Sequence, residues 1–201
     1  MKNKPWYPIA YMFAVTLFFS SIIIGLSALT RDRVEANQKL AFEKAVLAVL
    51  PIEVPAQASN LELHDLYVKL IQDPTPSSGS AYIYKIGSEI KGYALPISGK
   101  GFWDEISGVV GIAPDKKTIT GISFYKQNET PGLGAEIAQL PFREQFVGKT
   151  IAKTGAPFNI KPVSEQTDDN SVHAVTGATQ TSIRLEKFLL EQLEIWRKAM
   201  M

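Results

Sequence analysis

From Pro8 to Leu29 the chain reads PIAYMFAVTLFFSSIIIGLSAL, a run without one charged residue. A helix needs about 20 apolar residues to cross a hydrocarbon core, and this run meets that length. Trp6, Tyr7 and Tyr11 sit at its leading end, where amphipathic rings favour the headgroup region. The alternatives are a buried core helix and a cleaved signal peptide. A signal peptide has an apolar core of about 7–15 residues that ends at an A-x-A-like site. This run is longer, and Leu26-Ser27-Ala28 matches such a site poorly. The run therefore predicts an uncleaved transmembrane anchor over residues 1–30. Lys2 and Lys4 precede it, while Arg31, Arg33 and Lys39 follow, so the positive-inside rule is nearly balanced. The short basic leader, with the large domain after the span, favours a cytoplasmic N-terminus and a C-terminal domain on the outer side.

The 201 residues suit one globular domain plus such an appendage. With 21 basic and 20 acidic residues the net charge is +1, which gives no basic patch for nucleic acid. Cysteine is absent, which excludes thiolate iron–sulfur clusters, Cys-based zinc sites, disulfides and thiol nucleophiles within the chain. His64 and His173 lie far apart without ligand-spaced partners, so no metal site is expected.

Residues 31–80 read as a helical connector. Val34, Leu40, Ala41, Val46, Leu47 and Leu50 are spaced as on an amphipathic helix that continues from the span and stops before Pro51. Leu61–Ile71 predicts a second short helix, and Asp73–Ser80 (DPTPSSGS) a loop. Residues 81–201 begin with four runs rich in aromatic and β-branched residues: Ala81–Ile86, Ile90–Ile97, Ile106–Ala113 and Thr118–Tyr125. Gly87-Ser88, Ser98-Gly99-Lys100-Gly101 and Pro114–Lys117 separate them as turns, which predicts consecutive antiparallel hairpins. Ile183–Met200 places Leu185, Leu189, Leu193, Trp196 and Met200 on one helical stripe. The expectation is an α+β protein: a transmembrane helix, then an antiparallel sheet flanked by helices.

Two segments carry the chemistry. In His173–Ser182 (HAVTGATQTS), hydroxyl residues surround Gly177 and Ala178 just ahead of the last helix. A helix N-terminus stabilises a phosphate through its free N–H groups and its dipole, and a hydroxyl there is a possible attachment point for a phosphoester. The plainer alternative is that Thr181 or Ser182 caps the helix and the rest is loop. In Asn128–Ile137 (NETPGLGAEI), Pro131-Gly132 and Gly134 allow the backbone to approach a ligand closely. A dinucleotide fingerprint needs a third glycine where Ile137 stands, so this is not a Rossmann signal. Its plainer alternative is a turn after the strand ending at Tyr125. Glu129 is either a buried functional carboxylate or a solvated loop charge, and the usual exposure of glutamate favours the second.

Together, VTGATQTS and ETPGLG resemble the FMN-binding domain family, whose attachment motif runs Asp-x-x-Ser/Thr-Gly-Ala-Ser/Thr. Gly101-Phe102-Trp103, Gly111–Asp115 and Ile119–Ile122 extend the likeness from about Ala81 to the C-terminus. The aromatic pair is closer to the C subunit of sodium-translocating NADH:quinone oxidoreductases than to the G subunit of Rnf-type complexes. The resemblance implies an FMN joined by phosphoester to Thr179 by a dedicated flavin transferase. Thr176, Gly177 and Ala178 complete the motif, and His173 stands where the family has Asp. It also implies that Glu129, Thr130, Leu133 and Gly134 surround the isoalloxazine ring. His173 has two readings, a contact to the flavin phosphate or a surface residue, and the usual exposure of histidine favours the second. By the same likeness no side chain is a catalytic acid or base. The chain is then a single-pass, electron-carrying subunit of an ion-translocating redox complex in the bacterial inner membrane, working with the other subunits. The alternatives are a flavin-free scaffold or sensor domain of the same fold and a stand-alone extracytoplasmic flavin reductase.

Overall fold

A computed structural model describes residues 6–55 and 57–201. The chain divides into two compact units, one ending at Lys39 and one spanning Leu40–Met201. In the first, helix α1 (Trp6–Val49) begins, with Pro8 in its first turn, where a missing N–H costs nothing. Ile9, Phe13, Phe18, Phe19, Ile23, Ile24 and Leu29 all lie exposed along it. None of its most apolar stretch is buried, so the buried-core-helix alternative does not hold. Among the described residues it is the one helix long and apolar enough to cross a membrane.

The second unit opens with the last turns of α1, where burial begins abruptly. Glu43, Ala45, Val46, Leu47, Val49 and then Leu50 are all nearly inaccessible. Helix α2 (Asn60–Leu70) starts on a capping box. The Glu62 amide donates to Ser59 Oγ at 3.3 Å, and the Ser59 amide donates to Glu62 Oε2 at 2.7 Å. The backbone then straightens into β1 (Ile71–Gln72) and, past a 3₁₀ turn at Pro76–Ser78, into β2 (Tyr82–Ile86), β3 (Glu89–Lys100), β4 (Glu105–Ile112) and β5 (Ile119–Lys126). These form one sheet in the order β1-β2-β3-β4-β5, antiparallel at every step.

The sheet is covered on both faces, and strand alternation sorts its residues between two cores. Ile83, Tyr93, Leu95, Ile97 and Val110 pack with the stripe Leu185, Phe188, Leu189, Leu193 and Trp196 of α4 (Thr179–Met200). Their neighbours Tyr84, Ala94 and Val109 turn the other way, onto Val46, Leu47, Val49 and Leu50. Two-sided burial is why β4 reads as a near-continuous apolar run. The end of α1 is fixed to this second face by a bond from the Thr120 hydroxyl to the Val49 carbonyl at 2.5 Å. That bond satisfies one of the helix's orphan carbonyls. It needs Gly111, because a Cβ there would sit 2.1 Å from the Val49 oxygen.

Several features differ from the sequence reading. The helix expected to run to Ile71 ends at Leu70, and Ile71–Gln72 is strand β1. Ser98-Gly99-Lys100 is strand, not turn, since β3 stays paired through Lys100 opposite Glu105. Gly99 is there for packing, because a Cβ would press to 2.5 Å from Phe188. Helix α4 begins at Thr179, one turn before Ile183. Between β5 and α4 lie unforeseen short elements: a 3₁₀ turn Gly134–Ala138, α3 (Leu140–Arg143), a 3₁₀ turn Glu144–Phe146, and the parallel pair β6 (Asn159–Lys161) and β7 (Ser171–His173).

Candidate functional site

The β3–β4 hairpin turns through Gly101-Phe102-Trp103-Asp104, closed by the Gly101 amide donating to the Asp104 carbonyl at 2.7 Å. Two aromatic rings therefore stand side by side at a hairpin tip, edge to face at 5.0 Å between centroids. Both are exposed, Phe102 at 44% and Trp103 at 65%, although apolar rings gain by burial. The Arg184 guanidinium lies 5.9 Å from the Phe102 ring centre. Asp104 ties the tip sideways by accepting from the Asn128 amide at 2.7 Å. The Glu105 backbone N–H, then this Asn128 bond, hold its carboxyl below the usual carboxylate range.

The segment after β5 passes beneath this tip. Glu129 is 5% exposed, so the reading of it as a solvated loop charge is overturned. Its Oε1 accepts from the amides of Phe102 (2.9 Å) and Trp103 (3.1 Å), and its Oε2 from the Thr181 hydroxyl (2.6 Å). A buried carboxylate is tolerated when its oxygens are filled in this way. The Trp103 indole donates to Thr130 Oγ1 at 3.0 Å. The amides of Leu133 and Ala135 both return to the Thr130 carbonyl, and Gly132 takes the left-handed conformation at φ +74° that this tight loop requires. Gly134 then faces Thr181 and Glu129 so closely that a Cβ would lie 2.5 and 2.8 Å from their oxygens.

The third wall is the entrance to α4. Gly177 at φ +78° turns the chain, and Ala178 precedes the helix with no side-chain capping bond. The capping alternative is thereby corrected. Thr181 is buried inside the first turn with its hydroxyl donated to Glu129, and Ser182 Oγ accepts from the Val175 amide upstream. The helix start is left open to solvent and ligand.

These three pieces enclose a cavity of about 240 Å³. Phe102 contributes from the tip, Glu129, Thr130, Leu133 and Gly134 from the loop, and Gly177 to Thr181 from the helix entrance. Two motifs about fifty residues apart in the chain thus meet in one place. Of the residues expected from the sequence to hold the cofactor, Thr176 alone does not line the cavity; it is exposed on the approach. Thr179 is exposed and on the cavity wall, whereas Thr181 is 4% exposed with its hydroxyl engaged. His173 lies on β7 outside the cavity lining and is partly buried. Its amide donates to Gln145 Oε1 at 2.9 Å, and its Nε2 is 2.9 Å from the Glu165 carbonyl. Phe102, Gln180 and Thr181 were not foreseen as wall residues. An aromatic pair at a Gly-led hairpin turn was the available signal for Phe102, whereas the Thr181–Glu129 bond left none.

Residues 101–192 match the model of a family described as the FMN-binding domain. The C subunit of the Na(+)-translocating NADH-quinone reductase of Vibrio anguillarum is 36% identical over 131 residues, which is 64% of this chain and 51% of that protein. Its counterpart from Neisseria meningitidis serogroup A is 38% identical over 100 residues, 49% of this chain and 37% of that one. The chain spans about half the length, or less, of these curated relatives. In fold it is similar to the crystal structure of the C subunit of the same type of reductase from Parabacteroides distasonis. That likeness has a TM-score of 0.70 and 22% identity, covering 84% of this chain and 96% of that one.

Proposed function

We propose, from the match of residues 101–192 to the FMN-binding domain, that the chain is a membrane-anchored electron-carrying subunit of an ion-translocating oxidoreductase complex, with FMN esterified to Thr179. The observation that carries this reading is the position of Thr179. It is the one threonine of the motif that is both exposed and on the cavity wall, at the first residue of an uncapped helix. A phosphate on its hydroxyl lies at the positive end of α4, where N–H groups without intrahelical partners favour an anion. Gly134 and Gly177 leave the space that a side chain would fill beside Leu133 and Thr181. Phe102 and Leu133 offer apolar surface to a flat ring, and Thr130 a polar edge. The residues present fit FMN.

When bound, FMN supplies one- and two-electron transfer, and the protein sets its position, environment and exposure to water. No side chain needs to act as an acid or base in this role. Thr179 holds the cofactor, and Thr176, Gly177 and Ala178 shape the approach for a separate flavin transferase. Glu129, Thr130, Leu133 and Gly134 shape the pocket. The apolar part of α1 anchors the domain, on the outer face of a bacterial inner membrane, against the complex's other subunits.

Co-expression with a flavin transferase, followed by denaturing electrophoresis, tests this reading. Flavin fluorescence is expected to stay with the wild-type and Thr176→Ala bands and to vanish from Thr179→Ala. An unlabelled wild-type band favours instead a flavin-free scaffold or sensor. A labelled chain that copurifies with no membrane partner favours a stand-alone reductase.

A further inference from the structure

Resting on the FMN reading above, we infer that Glu129 is a positioning residue: its buried carboxylate ties the aromatic hairpin tip and the first turn of α4 to the cavity loop, and it sets a negative charge beside the cofactor. It acts through the groups it holds and through its charge.

Both of its oxygens are already occupied. Oε1 receives the Phe102 and Trp103 amides, and Oε2 the Thr181 hydroxyl. The carboxylate is also walled in where side chains are missing: a Cβ on Gly101 would lie 2.5 Å from Oε1, and one on Gly134 2.8 Å from Oε2. Three segments distant in sequence thus converge on one side chain, and two glycines make room for it. The tip that it holds carries Phe102 into the cavity wall and places Trp103 against Thr130. Among the described residues, the Asp104–Asn128 and Trp103–Thr130 side-chain bonds are the other hydrogen bonds that fix this turn across the loop.

Among the described residues no Lys, Arg or His forms an ion pair with Glu129. A buried charge with no such partner acts on the groups beside it. It disfavours added electrons on a group bound beside it, so it lowers the potential at which that group is reduced.

The test uses the full chain in detergent, made with and without the flavin transferase. In the flavin-free protein, Glu129→Ala is expected to speed hydrogen exchange at the Phe102 and Trp103 amides about tenfold or more, as for loss of a hydrogen bond to a charged acceptor. Glu129→Gln keeps an acceptor oxygen, so exchange there should stay close to wild type. In the loaded protein, the flavin carried by Glu129→Gln should titrate at a more positive midpoint potential. If Glu129→Ala does not fold, Thr181→Val removes only the bond to α4 and should speed exchange at the Ser182 amide while leaving Phe102 slow. Unchanged exchange in both Glu129→Ala and Thr181→Val overturns the tie, and an unchanged midpoint in Glu129→Gln overturns the charge effect. A wild type without flavin contradicts the FMN reading instead, and the exchange measurements on the flavin-free protein still decide the tie.

Discussion

At the residue scale the cavity depends on side chains that are missing as much as on those present. Gly134 faces Thr181 Oγ1 and Glu129 Oε2, which are already bonded to each other, so neither can retreat without giving up that bond. Gly134→Ala should therefore cost about 1–3 kcal/mol of stability, as overpacking does, and reduce flavin loading together with it. Thermal melting and in-gel fluorescence read the two effects. Gly132→Ala is the control. Nothing stands near its Cβ position, but its φ of +74° makes any side chain cost about 1–2 kcal/mol. It should lower the melting temperature and leave loading intact. At this scale the sequence was informative wherever a motif was contiguous: VTGAT and ETPGLG held seven of the ten cavity-lining residues. The fate of Glu129 was hidden, because its burial is created by donors from a hairpin and a helix that no local pattern links to it. For the same reason the Thr181 hydroxyl looked like a cap when it is part of a buried bond.

At the scale of elements, β2 to β5 and the long helices followed directly from periodicity, and the antiparallel pairings among those four strands were expected from the turns between them, whereas β1 and its pairing with β2 were not. What escaped were pieces too short to show a period. The three-residue strands β6 and β7 pair in parallel across the intervening segment 162–170, and the 3₁₀ turns are set by packing around Phe142, Phe146 and Phe158, the first two rings edge to face and the last two stacked. On α4, Trp196 is fully buried, edge-on to Tyr93 at 5.2 Å and donating from its indole to the Lys116 carbonyl at 2.9 Å. Trp196→Ala should cost about 3–5 kcal/mol in denaturant unfolding. The opposite face of the sheet carries a different sensitivity. Burial, followed by the charges of Tyr82, Asp73 and Glu43, pushes the Tyr67 hydroxyl well above its ordinary value. Burial also raises those of Tyr82 and Tyr125. These phenols keep their protons in the folded chain at pH values where the unfolded chain has lost them. Their contribution is complete below about pH 10 and is lost as pH climbs above it. Tyr67→Phe should make stability fall less steeply above that pH, by denaturant titration at a series of pH values.

At the scale of the whole molecule the anchor and the domain answer to different solvents. Among the described residues none of the most apolar stretch of α1 is buried, whereas the same helix from Ala45 onward is part of the second core. A fragment beginning at Leu40 should thus be water-soluble and melt cooperatively. One beginning at Ile52, which lacks Val46, Leu47, Val49 and Leu50, should be markedly destabilised or aggregate. Circular dichroism melts of the two fragments check this. The membrane anchor was readable from length alone, but its orientation was not, because the flanking charges are nearly balanced. A protease added outside spheroplasts should remove the domain if it faces outward and leave it intact if it faces the cytoplasm.

The central claim concerns one oxygen atom, and peptide mapping reads it most directly. The full chain, co-expressed with a flavin transferase and digested with trypsin, should yield a peptide ending at Arg184 that is heavier by FMN less one water, with fragment ions placing the added mass on Thr179. An unmodified peptide, or the added mass on Thr176 or Thr181, would contradict the account.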